Sequence, residues 1–300
     1  MRIQKLINSL HKLPHSYTSR HAELDSASNS KCETLNQVQG DGHPFRLLVL
    51  MLVLSFQTGF AQDYWQQEVN YKIDVELDDR KHELKGDIEI EYINNSPDYL
   101  KEIYMHLWPN AYKDNSTALV KQQVENGNTK LYYADDSERG YIDRLKFKVN
   151  GNRADWDYHP EHIDIAKITL EEAIKPGGKI TISTPFTVKI PSGRFSRLGH
   201  MGESYQITQW YPKPAVYDKN GWNEMPYLNQ GEFYSEFGSY DVSITLPKNY
   251  VLAATGDIVD GEEEMKWLNT LAERTAKKED FGTDNSFPES SKEEKTIRFK

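Results

Sequence analysis

The chain is nearly without cysteine: Cys32 is its single thiol. One thiol excludes an intrachain disulfide and any cysteine-based zinc finger. No apolar run approaches the roughly 20 residues that a membrane-spanning helix needs, so a multi-span membrane protein is excluded. Basic residues fall short of acidic ones, 36 against 46 in 300 residues, for a formal charge of −10. An acidic surface repels phosphate backbones, so no nucleic-acid partner is expected. Catalytic signatures are also missing. Only His82 among the histidines is followed by glutamate, Glu83, and Gly86 stands where a second zinc-binding imidazole would have to be. There is no G-x-S-x-G elbow, and Gly177-Gly178 is an isolated turn rather than a phosphate loop. His159 and His162 have H-x-x-H spacing, but an imidazole pair alone does not close a tetrahedral site, and they read as a surface loop.

What is present begins with an exported N-terminus. Phe45-Arg46 leads into an apolar core, Leu47 to Phe56, followed by small residues at Gly59 and Ala61. This pattern is a secretory signal peptide over 45–61, with cleavage after Ala61 and a periplasmic or extracellular destination. The mature product is then not an integral membrane protein. Residues 1–44 are polar and aperiodic, and read as a disordered leader or a mis-started segment. Cys32 lies there, so the mature chain would carry no thiol.

From residue 62 the hydrophobic period is two. Val69, Tyr71, Ile73, Val75 and Leu77 alternate with Asn70, Lys72, Asp74 and Glu76. Further strands are predicted at 84–93, 103–108, 142–149, 163–170, 179–190, 205–211 and 240–246. Asn150-Gly151 signals a hairpin. Helical spacing is confined to 118–125 and 262–278, the latter with Met265, Leu268, Leu271, Ala272 and Ala276. A charged linker follows, and 296–300 opens another strand that ends in mid-pattern, as in a chain cut before its next domain. The expected fold is all-β: an antiparallel β-sandwich or saddle with one or two short helices, spanning 62–300.

The most informative stretch is 205–256. Trp210, Tyr211, Tyr217 and Trp222 cluster around two prolines, and aromatics in a rigid loop can line a ligand cleft or cover one end of the core. Three elements stand in order: Thr208-Gln209-Trp210-Tyr211-Pro212, an acidic aromatic segment from Glu232 to Glu236, and Tyr240-Asp241-Val242-Ser243-Ile244-Thr245-Leu246-Pro247. Together with the opening pair Tyr71 to Leu77 and Leu84 to Ile90, they resemble the N-terminal β-saddle domain of the aminopeptidase-N family of zinc metallopeptidases, in its secreted bacterial branch. The resemblance implies a peptide substrate and a catalytic domain beyond Lys300 that would hold the zinc. No catalytic or metal-binding residue is implied in this chain. It also implies that Gln209 and Tyr211 contact substrate. Tyr211 departs from the family, which has an acidic or amide side chain there, and a tyrosine cannot neutralise an α-ammonium. The alternative is a non-catalytic exported β-sandwich that binds sugar or protein through Trp210, Tyr211 and Trp222.

Overall fold

Alternating side chains force the first two strands to bury one face and solvate the other. The structure, a computed structural model, describes residues 64–284 and 286–300; the predicted leader at 1–44 and the predicted signal peptide at 45–61 lie outside them. Strands β1 (Glu68–Asp78) and β2 (Glu83–Ile93) form an antiparallel hairpin with Tyr71 opposite Ile90 and Ile73 opposite Ile88. Those side chains are buried, whereas Lys72, Asp74 and Glu76 face solvent.

Next come β3 (Leu100–His106), a 3-10 turn at Trp108–Tyr112, and helix α1 (Ala118–Glu125). Thr117 caps α1 by accepting from the Val120 N–H. The predicted strand at 142–149 is two strands, β4 (Tyr141–Asp143) and β5 (Lys148–Val149). Arg144 between them has φ of 59°, which breaks the extended run, and Thr184 Oγ1 accepts from the Lys146 N–H at 2.7 Å in the gap. Asn150 and Gly151, both left-handed, turn β5 into β6 (Asn152–Arg153) as the sequence predicts. Then follow β7 (Asp155–Tyr158), β8 (Ile165–Ile174), β9 (Lys179–Lys189), β10 (Gly199–Met201), β11 (Ser204–Gln206), β12 (Lys213–Pro214), β13 (Val216–Asp218), β14 (Gly221–Asn223) and β15 (Tyr240–Pro247). The chain closes with β16 (Ile258–Val259), helix α2 (Glu262–Ala276) and β17 (Glu294–Phe299).

The large sheet has nine strands, ordered β16-β17-β15-β1-β2-β9-β5-β6, with β4 also on β9. It is mixed, which corrects the antiparallel expectation: β15 runs parallel to β1, with Tyr240 opposite Tyr71 and Val242 opposite Ile73. The cause lies just before β15. Phe237 and Ser239 accept from the N–H groups of Val69 and Tyr71 at 3.0 and 2.8 Å, so the chain joins β1 at its N-terminal end and must travel in the same direction. Gly238 permits this approach, because a Cβ there would lie 1.7 Å from the Val69 carbonyl oxygen.

A second sheet, β12-β3-β8-β7, packs its apolar face on the first. Ile103, Met105 and Ile168 meet Ile88, Ile90, Ile182 and Phe186 in one buried cluster. A smaller cluster gathers Trp108, Tyr112, Leu119, Phe195 and Tyr227 under α1. Ile207 and Trp210 touch both clusters. Helix α2 has the predicted period but no buried residue. It leans on β17 through Lys295, whose Nζ lies 2.7 Å from Glu264 and 3.8 Å from the Trp267 ring centre. No helix among the described residues is long and apolar enough to cross a membrane.

Candidate substrate-contact site

Residues 205–211 do not form the single strand that alternation predicts. Strand β11 ends at Gln206, and Gln209 takes a left-handed φ of 53° in a bend before β12. Both β12 residues are buried, because they pair with β3: Lys213 lies opposite His106 and Pro214 opposite Met105. A lysine is thereby carried into the interior. Its Nζ donates to Gln209 Oε1 at 2.7 Å and to Ser235 Oγ at 2.6 Å, and lies 4.1 Å from the Trp108 ring centre. No carboxylate forms an ion pair with it among the described residues. Burial alone pushes the ammonium down to about 7.

His106 stacks on Trp108 at 4.3 Å, and neither of its ring nitrogens has a hydrogen-bond partner within bonding geometry among the described residues. Burial first, and the Lys213 charge second, push its pKa down to about 3, so the ring stays neutral. Glu236 is buried too. One carboxylate oxygen accepts from the Tyr217 N–H at 3.2 Å and the other has no partner within bonding geometry among the described residues. Burial raises the Glu236 carboxyl to about 7 against the opposing backbone hydrogen bond.

Tyr211 faces elsewhere. Its hydroxyl donates to the Tyr240 hydroxyl at 3.1 Å, and its ring meets Tyr71 edge-on at 5.5 Å. Tyr71 and Tyr240 stack at 4.6 Å. Burial, reinforced by Tyr240, holds the Tyr211 phenol well above its ordinary range, so it stays a neutral donor. The Tyr211 and Tyr240 rings line a cleft of about 1580 Å³, together with Ile73 and Val75 of β1 and Val242 and Ile244 of β15. Trp210 lines it as well, whereas Gln209, Tyr217 and Trp222 do not. Trp222 packs instead against Tyr104 and Tyr217 at 5.8 and 5.1 Å. The two predicted contact residues, Gln209 and Tyr211, are thus close in the chain but engaged with different neighbours.

Sequence reasoning missed Lys213, Ser235, His106 and Glu236. Lys213 left a signal: it is the only charged residue between Trp210 and Val216, set between two prolines in an otherwise apolar run. Ser235 and Glu236 lie inside the acidic aromatic segment but nothing there singled them out, and His106 left no signal, since its burial depends on distant strands. Among the described residues no three His, Cys, Asp or Glu side chains are grouped to hold a metal ion. His159 and His162 stack at 5.2 Å without a third ligand. The residues present therefore do not fit a zinc site.

No family model matches the chain, and no curated protein is similar to it. Solved structures are. The chain resembles a two-domain M1 zinc metallopeptidase variant bound to L-arginine at 13% identity and a TM-score of 0.37, over 78% of this chain and 39% of that one. It resembles the M1 zinc metallopeptidase from Deinococcus radiodurans at 13% identity and a TM-score of 0.38, over 78% and 38%. The chain therefore spans about two-fifths of the length of the proteins it matches. Likeness this remote carries no functional argument.

Proposed function

We propose that residues 62–300 are the N-terminal, cleft-lining domain of an exported peptidase of the aminopeptidase-N type. In this reading the zinc and the catalytic groups belong to a further domain, and this chain alone hydrolyses nothing. The signal-peptide pattern at 45–61 supports export to the periplasm or beyond.

One observation carries the reading. The segments that bear the sequence resemblance are separated in the chain, yet they fold onto one another. Lys213 joins Gln209 to Ser235, Glu236 accepts from Tyr217, and Tyr211 donates to Tyr240. Motif residues with only a packing role could be scattered over the core. Here the segments meet through side-chain hydrogen bonds, and Tyr211 and Tyr240 line an open cleft.

The test uses the full-length enzyme. Gln209→Ala removes a hydrogen-bonding group worth about 1.4 kcal/mol, so kcat/KM per folded molecule is expected to fall about tenfold. Unchanged kcat/KM per folded molecule, with lower stability, would make Gln209 structural and refute the assignment. The aromatic cleft favours a second reading, a non-catalytic module that binds sugar or protein through Trp210 and Tyr211. A full-length product without peptidase activity selects it.

A further inference from the structure

The contact between Lys213 and Gln209 has a direction. A lysine ammonium has three donors and no acceptor, so only the carbonyl end of the Gln209 amide can face it. The oxygen is held at 2.7 Å. The amide nitrogen has no hydrogen-bond partner among the described residues, and it is not one of the fully buried polar atoms left without one, so it is not sealed from solvent. We infer that Lys213 sets the polarity of Gln209, turning its two N–H donors outward, so that this point takes an oxygen acceptor, a peptide carbonyl, and rejects an amine.

Three features support the inference. Lys213 is pinned by Ser235 as well, on a buried strand pair, so the orienting charge cannot swing away. Tyr211 donates its proton to Tyr240 and carries no negative charge, so it offers an ammonium no counter-charge. A positive charge directly behind the amide further favours an electron-rich oxygen and disfavours a cation. Lys213 is here a positioning residue, since it touches no ligand itself.

This inference rests on the reading of Gln209 as a substrate contact, and the experiment separates the two. The full chain is labelled with 15N, and the Gln209 side-chain amide is assigned by its loss in Gln209→Glu. Three probes are titrated at about pH 6, where the lysine is charged: N-acetylglycine N-methylamide, acetate and ethylammonium. The neutral amide is expected to shift the Gln209 amide signals at least several-fold more than ethylammonium. A larger shift with acetate would keep the acceptor class and assign it to a carboxylate. Lys213→Met should free the amide to turn and admit ethylammonium, whereas Lys213→Arg, which keeps a donor, should preserve the wild-type pattern. Ethylammonium shifting wild-type Gln209 as strongly as the neutral amide would overturn the inference and leave the contact reading standing. No shift with any probe would overturn both.

Discussion

Replacing Lys213 by methionine should make stability respond to pH in a way that isolates one buried charge. The lysine has an ordinary value of 10.5 and is pushed down to about 7 by burial. When both folded and unfolded chains hold the proton, that difference is a penalty of about 5 kcal/mol. The sign follows from proton counting. Below about pH 7 both states are protonated and the penalty is complete. Between about pH 7 and 10.5 the unfolded chain keeps a proton that the folded chain has lost, so stability rises with pH, by up to about 1.4 kcal/mol per pH unit. Methionine keeps the length and packs on Trp108, but it strips the donor from Gln209 Oε1 and Ser235 Oγ and ends the contact with the ring. Those losses amount to about 2 to 5 kcal/mol. Near pH 6 the two proteins should therefore be of similar stability. At pH 9 wild type should exceed the variant by about 2 to 3 kcal/mol more than it does at pH 7. Other groups do not mimic this. His106 stays neutral across the window, and Asp164 and Glu236, raised to about 6 and about 7, are present in both proteins and cancel in the difference between them. Urea unfolding midpoints from pH 6 to about 10 give the comparison. Parallel curves for the two proteins would mean that Lys213 titrates as if exposed, and the account of its burial would fail.

Two further perturbations probe the segment that precedes β15. Glu236→Gln should abolish a loss of stability, about 2 to 3 kcal/mol, that wild type suffers as pH rises from about 4.5 through 7, because a carboxyl raised to about 7 favours the folded state only while protonated; an unchanged slope in urea titrations would contradict its burial. Gly238→Ala places a Cβ against the Val69 carbonyl and should cost about 3 kcal/mol or more in unfolding free energy; a loss below about 0.5 kcal/mol would show that the parallel approach to β1 tolerates a side chain.

Local patterning alone determined much of this protein. The period of two from Val69 onward specified β1 and β2 and which side chains they bury. Asn150-Gly151 specified its hairpin, and the spacing at 118–125 specified α1, because turns and helix faces depend on residues a few positions apart. Long-range features were not legible in this way. Parallel pairing of β1 with β15 joins residues such as Tyr71 and Tyr240, and hairpin signals report only on strands adjacent in sequence. The same distance hid the site. Gln209 and Tyr211 could be named from a motif, but alternation placed them in one strand, and a left-handed bend at Gln209 sent them to different neighbours. Lys213 stands between two prolines in an apolar run, a pattern that does not say what surrounds it. Only its pairing with β3, opposite His106, took it out of water and gave it the amide of Gln209 to hold. Burial of a charge is decided by what the rest of the chain packs around it, and that is set by the tertiary fold.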